Sequence, residues 1–227
     1  MQEIIKKSED YNTSPINAII TNNTVIPGMS GLNINLNKSY EKMKKLGNFD
    51  ESLLVYEEIS PNLSYKDYYN KIIVSNNQNN KISLVFNIKD LEIYNQISSI
   101  LEKYNIKGNY FFQNSFFTNN VNKISEIKEP ILVSNLINLS NYHNIIDYCL
   151  VHEISNNIPC EKNNKYTLLS GINIDNYHLT YTKTNYVNSN ILTYTFNKKN
   201  IKDLNLVINY LLNNDIKIVS IDELIKE

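Results

Sequence analysis

Residues Lys81–Phe112 read KISLVFNIKDLEIYNQISSILEKYNIKGNYFF. Ile82–Phe86 is a short run, apolar apart from Ser83, as expected of a strand buried on both faces. Leu91, Tyr94, Ile97, Leu101 and Tyr104 then recur at the spacing of one helix face, and Tyr110–Phe112 supplies a second apolar run. Strand, helix and strand within about thirty residues is the unit that makes parallel sheets, because neighbouring parallel strands need a crossover between them.

Outward from this unit the same alternation continues. Phe116, Phe117, Val121 and Ile124 predict a helix, and Pro130 precedes a strand over Ile131–Val133. Tyr148–Val151, Tyr166–Leu169 and Ile191–Phe196 are further strands. Asn200 is placed to cap a helix carrying Ile201, Leu204, Ile208 and Leu211 on one face. A strand over Ile216–Val219 follows, and Ser220 with Glu223 has capping-box spacing before a last short helix. This order of elements is that of an α/β protein.

Upstream, residues 1–14 read as a frayed terminus, and Ile16–Ile20 as a short apolar run before the turn signal Pro27-Gly28. Asn37–Leu46 predicts a helix ended near Gly47, and Leu53–Tyr56 predicts a strand. Pro61 then breaks the chain before the Tyr-rich segment Tyr65–Ile73, and the Asn-rich stretch Asn76–Asn80 reads as a loop. The expected division is an N-terminal extension over 1–75, packed on a main domain over 76–227.

Composition narrows function further. All 22 basic residues are Lys and the net charge is −1, so neither a global field nor an arginine fork is available to nucleic acid. No run approaches the ~20 apolar residues of a membrane span, and the first twelve residues lack the apolar core of a signal peptide. The chain as written therefore reads as cytoplasmic, or as extracytoplasmic if an N-terminal anchor has been removed. Cys149 and Cys160 form no CxxC pair and are expected as two core thiols.

Three segments together resemble the polysaccharide deacetylase family, also called the NodB-homology domain. Lys81–Phe112 is similar to its opening unit, in which a strand ending Thr-Phe-Asp-Asp-Gly leads through a helix to "KYNVKATFFV". Asn190–Phe196 stands where the family has a late strand ending Leu-x-His, and Asp203–Leu224 resembles its closing helix, strand and helix. Ile26–Gly31, Ser39–Gly47 and Glu51–Tyr56 also resemble an extension preceding this domain in some members.

The resemblance implies a distorted, incomplete TIM-like (β/α) barrel with its working cleft at the strand C-termini. It also implies metal-assisted amide hydrolysis. One Asp is the base, a second Asp and two His of His-x-x-x-His hold a divalent ion, and a late His protonates the leaving amine. Counting from Phe86 puts Asn87 at the base, Ile88 at the metal Asp and Lys89 at the Gly. Leu136 and Ser140 fall on the two metal His positions, and Thr195 on the acid. An amide takes no proton from water near neutral pH, and Ile or Leu offers a cation nothing. No cofactor and no bound metal are expected.

Other candidates read as structural. His143, His152 and His178, with Asp147 or Glu153, match no metal spacing; Ser170-Gly171 lacks the first Gly of GxSxG. Glu57-Glu58 and Asp222-Glu223 fit solvated faces or helix starts. Two tyrosine groups, Tyr65, Tyr68, Tyr69 and Tyr177, Tyr181, Tyr186, Tyr194, suit either core packing or the faces of sugar rings. The leading expectation is a degenerate deacetylase homologue with a carbohydrate-binding or scaffolding role, its partners glycan or peptidoglycan fragments. The alternatives are an active C–N hydrolase with a rebuilt site, and a plain interaction scaffold.

Overall fold

The computed structural model describes residues 1–74, 80–186 and 190–227. Asn76–Asn79 lie outside these. Two compact units are present: residues 1–19, 27–65 and 227 form the smaller, and residues 20–26 and 66–226 the larger.

In the larger unit the strands are β1 (Thr24–Ile26), β2 (Ile72–Ile73), β3 (Lys81–Ile88), β4 (Asn109–Phe112), β5 (Ile131–Val133), β6 (Tyr148–Val151), β7 (Tyr166–Leu169), β8 (Asn173–Ile174), β9 (Ile191–Tyr194) and β10 (Lys217–Ile218). The helices are α1 (Leu91–Lys103), α2 (Asn114–Ile124), α3 (His178–Asn185), α4 (Asp203–Asn213) and α5 (Ile221–Leu224). The sheet runs β1-β2-β7-β6-β5-β4-β3-β9-β8, and β10 adds to the start of β3. Every one of these pairings is parallel. This is the expected α/β sheet, and it begins earlier in the chain than residue 76.

Register fixes which side chains share a face. Phe86 lies opposite Tyr110 and Tyr194, and Ile88 opposite Phe112; all belong to the cluster formed with Ile93, Ile97 and Leu101 of α1 and Leu204, Val207 and Ile208 of α4. Asn87, opposite Phe111, therefore faces the other way. Asp90 caps α1 by accepting from Glu92 N–H. Gly108 is required by packing: a Cβ there would sit 2.6 Å from the Tyr110 Oη. Where β10 ends and β4 begins, buried Asn109 stitches the gap, its Nδ2 donating to Leu84 O at 3.0 Å and its Oδ1 accepting from Ile221 N–H at 2.8 Å.

The smaller unit holds the helices Gln2–Ser8 and Leu36–Met43 and the antiparallel strands Gly31–Ile34 and Tyr56–Ile59. Ile4, Ile34, Met43 and Leu54 form its apolar core. Two expectations are corrected here. Residues 2–8 are a helix because Ile4 has this core to enter. The strand begins at Tyr56 rather than Leu53, since Asp50 caps a 3-10 turn over Glu51–Leu53.

Corrections in the larger unit are local. α3 and β8 were not anticipated. Asn200 is not the cap of α4, which starts at Asp203; its Oδ1 accepts from Asn197 N–H in the turn before. Cys149 and Cys160 are buried, but as a disulfide with Cα atoms 5.9 Å apart, not as thiols. Only the fold brings a strand and its own outgoing connection together, so spacing along the chain carried no sign of it.

Candidate functional site

Asn87, near the C-terminal end of β3, and Thr195, just past the end of β9, come together with Asn173, the first residue of β8. Asn87 Nδ2 donates to Thr195 Oγ1 at 3.2 Å, and Thr195 Oγ1 donates to Asn173 Oδ1 at 3.1 Å. The direction follows from chemistry: the amide nitrogen only donates, leaving the single hydroxyl proton for Asn173. Asn87 is 7% exposed, and its Oδ1 is buried with no hydrogen-bond partner. The feature is neutral throughout and contains no group that takes up or releases a proton near pH 7.

The remaining motif positions lie elsewhere. Ile88 and Leu136 are fully buried in the helix-covered apolar cluster. Lys89 and Ser140 are exposed, and Ser140 O receives the His143 ring Nδ1 at 3.0 Å. Of the six positions matched to the family site, Asn87 and Thr195 are therefore in direct contact. The donor set is unsuited to a divalent ion: among the described residues no group of three His, Cys, Asp or Glu is placed to hold one.

Behind the strand ends lies a second polar contact. His178, fully buried at the start of α3, stacks on Phe196 with ring centroids 4.3 Å apart. Its Nε2 donates to Thr195 O at 3.0 Å, and its Nδ1 stands 3.4 Å from Asp203 Oδ2 at the start of α4. His178 thus braces the backbone of Thr195 against two helices. Asn173 and this brace were missed because neither sits in a motif, and Asn is too frequent in this chain for one to stand out.

The other candidates are structural. Asp147 Oδ2 accepts from Ile131 N–H at 2.8 Å, and burial pushes its carboxyl above the usual range. Ser170 is fully buried with its Oγ 2.7 Å from Thr193 Oγ1, which leaves no nucleophile. Glu57 accepts from Asn35 and Lys38, which together hold its carboxyl below the usual range. Tyr148 Oη donates to Asp222. Tyr194 is buried and Tyr69 stacks on Tyr166 at 4.4 Å, whereas Tyr177 is 77% exposed. A cavity of about 330 Å³ lies at the opposite, N-terminal end of the strands, lined by residues such as Lys107, Ile218 and Glu223.

No family model matches the chain. It is 30% identical over 129 residues to the uncharacterized protein YlxY of Bacillus subtilis (strain 168), a match spanning 56% of this chain and 40% of that protein. Among solved structures it resembles wild-type BA3943, described as a CE4 family pseudoenzyme from Bacillus anthracis. The TM-score is 0.76 at 18% identity, over 100% of this chain and 94% of that one. A BA3943 mutant described as having restored enzymatic activity superposes with a TM-score of 0.75, also at 18% identity, over 100% and 97% of the two chains. The Bc1960 peptidoglycan N-acetylglucosamine deacetylase reaches 0.52 at 14% identity, over 70% of this chain and 94% of that one. The chain has the α/β barrel-like fold of the CE4 carbohydrate esterases.

Proposed function

We propose that this chain is a catalytically degenerate member of the polysaccharide deacetylase family that retains a glycan-binding role. One observation carries the reading. The position matching the family's base is Asn87, held in a neutral hydrogen-bond chain with Thr195 and Asn173. Hydrolysis of an acetamide needs a polarised carbonyl, a deprotonated water and a protonated leaving amine. Asn87 and Thr195 supply neither base nor acid, and Ile88 and Leu136 supply no ligand. The likeness to BA3943 supports the same reading, since that structure is described as a pseudoenzyme of this fold.

What this strand end does offer is the exposed amide of Asn173 beside the half-buried hydroxyl of Thr195, hydrogen-bonding groups that suit the uncharged polar edge of a sugar. Peptidoglycan or chitin-like fragments are the proposed ligands, by analogy with the Bc1960 deacetylase.

The test pairs activity with binding. Purified protein is supplied with zinc, cobalt or manganese and assayed for acetate release from chitin oligomers and acetylated peptidoglycan fragments. The same oligomers are titrated calorimetrically, and bound metal is measured by elemental analysis. Saturable binding without acetate release or stoichiometric metal is expected. Turnover above buffer that is lost on replacing His143, His152 or His178 overturns the proposal in favour of a rebuilt hydrolytic site. Absence of both binding and turnover leaves the fold as a scaffold and removes the glycan-binding half.

A further inference from the structure

Neighbouring parallel strands are commonly joined by an α-helix whose apolar face seals the strands it crosses. Between β6 and β7 that helix is missing. The strands are paired from Tyr148↔Tyr166 to Val151↔Leu169, yet their connection contains only the 3-10 turn Glu161–Asn163. Over residues 152–165, Cys160 alone is fully buried, and Ile154 is 53% exposed. A connection with so little apolar contact has little to hold it on the sheet.

Cys160 supplies the tie. It is bonded to Cys149 of β6, whose side chain lies in the helix-covered apolar cluster. The bond thus plants the one buried side chain of the crossover on the face that a helix would cover. Thr167 of β7 lies in register with Cys149, and its Oγ1 is buried without a hydrogen-bond partner. Opening this seam would hydrate that hydroxyl, which lowers the cost of opening once the covalent tie is gone.

We infer that the Cys149–Cys160 bond takes the place of the missing crossover helix, so that the sheet edge beyond β6 is fully protected only in the oxidised chain. That edge comprises β7, β2 and β1. The closed loop leaves the C-terminal end of β6, so this wall of the strand-end region becomes redox-sensitive. Reduction by a dithiol is a two-step exchange. One thiolate attacks a cysteine sulfur and breaks the S–S bond; the second displaces the mixed disulfide. Two electrons and two protons end on Cys149 and Cys160, and the dithiol leaves as its cyclic disulfide. Such a device fits a compartment in which disulfides persist.

The experiment is hydrogen exchange followed by mass spectrometry on the full chain, oxidised and then reduced with dithiothreitol. The Cys149→Val/Cys160→Ala double variant is run without reductant. Reduction is expected to speed exchange at least about tenfold over residues 152–169 and at β1 and β2, while Lys81–Phe112 stays protected. The double variant should match the reduced wild type. Unchanged exchange over 152–169 on reduction overturns the inference, as does a loss spread evenly over the chain. Alkylation of unreduced, denatured protein that counts two free thiols overturns it as well. Should the double variant fail to fold, the reduction arm on already folded protein decides alone.

Discussion

Replacing Ile88 with Asp, the change that would place the metal-binding carboxylate if the chain matches the family as proposed, should damage the fold rather than create a site. Ile88 ends β3 opposite Phe112, is fully buried and belongs to the apolar cluster that also holds Ile93 and Leu136. Two costs combine. Truncating a buried Ile removes about 2–5 kcal/mol of apolar contact and leaves a cavity. A carboxyl without a hydrogen-bond partner adds about 1–3 kcal/mol even when neutral, and more when ionised. The total of roughly 5 kcal/mol is comparable with the whole stability of an ordinary domain, about 5–15 kcal/mol. The pH dependence has a definite sign. Burial raises the folded-state pKa of the introduced Asp above its unfolded value of about 3.9, so the native state binds more protons between the two values. Stability is therefore greatest below the unfolded pKa and is lost as pH rises through the folded one. Urea unfolding followed by far-ultraviolet circular dichroism at several pH values measures both effects. Ile88→Val, expected to cost about 0.5–1.5 kcal/mol, is the control. A variant within about 1 kcal/mol of wild type at neutral pH would refute the reasoning, because side chain 88 would then face solvent.

Phe86→Ala should cost about 3–5 kcal/mol in the same assay, since the ring is fully buried with centroids 6.1, 6.5 and 6.3 Å from Tyr110, Tyr194 and Phe196. A loss within measurement error would contradict the aromatic packing of β3. Burial pushes the phenols of Tyr110 and Tyr194 well above the ordinary tyrosine range. Being neutral in the fold, they contribute stability that is complete below about pH 10 and is lost as pH rises beyond it. Spectrophotometric titration should show both ionising together with unfolding; reversible ionisation of all tyrosines near pH 10 in the folded chain would disprove their burial.

Much of the fold was legible because its apolar pattern is strong. Ile131–Val133, Tyr148–Val151 and Tyr166–Leu169 are strands with the bounds their sequence predicts, and α1 buries Ile97 and Leu101 of its predicted face together with Ile93. α3 was invisible for a physical reason. The side chains it buries completely are His178 and Thr182, and both are satisfied by hydrogen bonds, Thr182 Oγ1 lying 2.7 Å from Tyr194 Oη. A helix that buries polar groups shows no hydrophobic period. For the candidate site, counting along the motif picks out Asn87 and Thr195, and the fold brings these two side chains into contact. The count could not say that Ile88 turns away, because a strand buried on both faces shows no clean alternation of apolar and polar residues.

The residues at the strand ends also make sense as a set. An aspartate at position 87 would be largely buried and beside Thr195, and a buried carboxylate without a cation or several donors is costly. Asparagine has nearly the same shape, carries no charge and donates to Thr195, so it removes that cost while leaving the strand end unchanged. One cost remains, the unpaired Oδ1 of Asn87, of the order of 1–3 kcal/mol. A leucine there would be free of it but would leave Thr195 Oγ1 without the donor it now has, so the amide is accounted for by its partner just beyond β9 rather than by packing against Phe111.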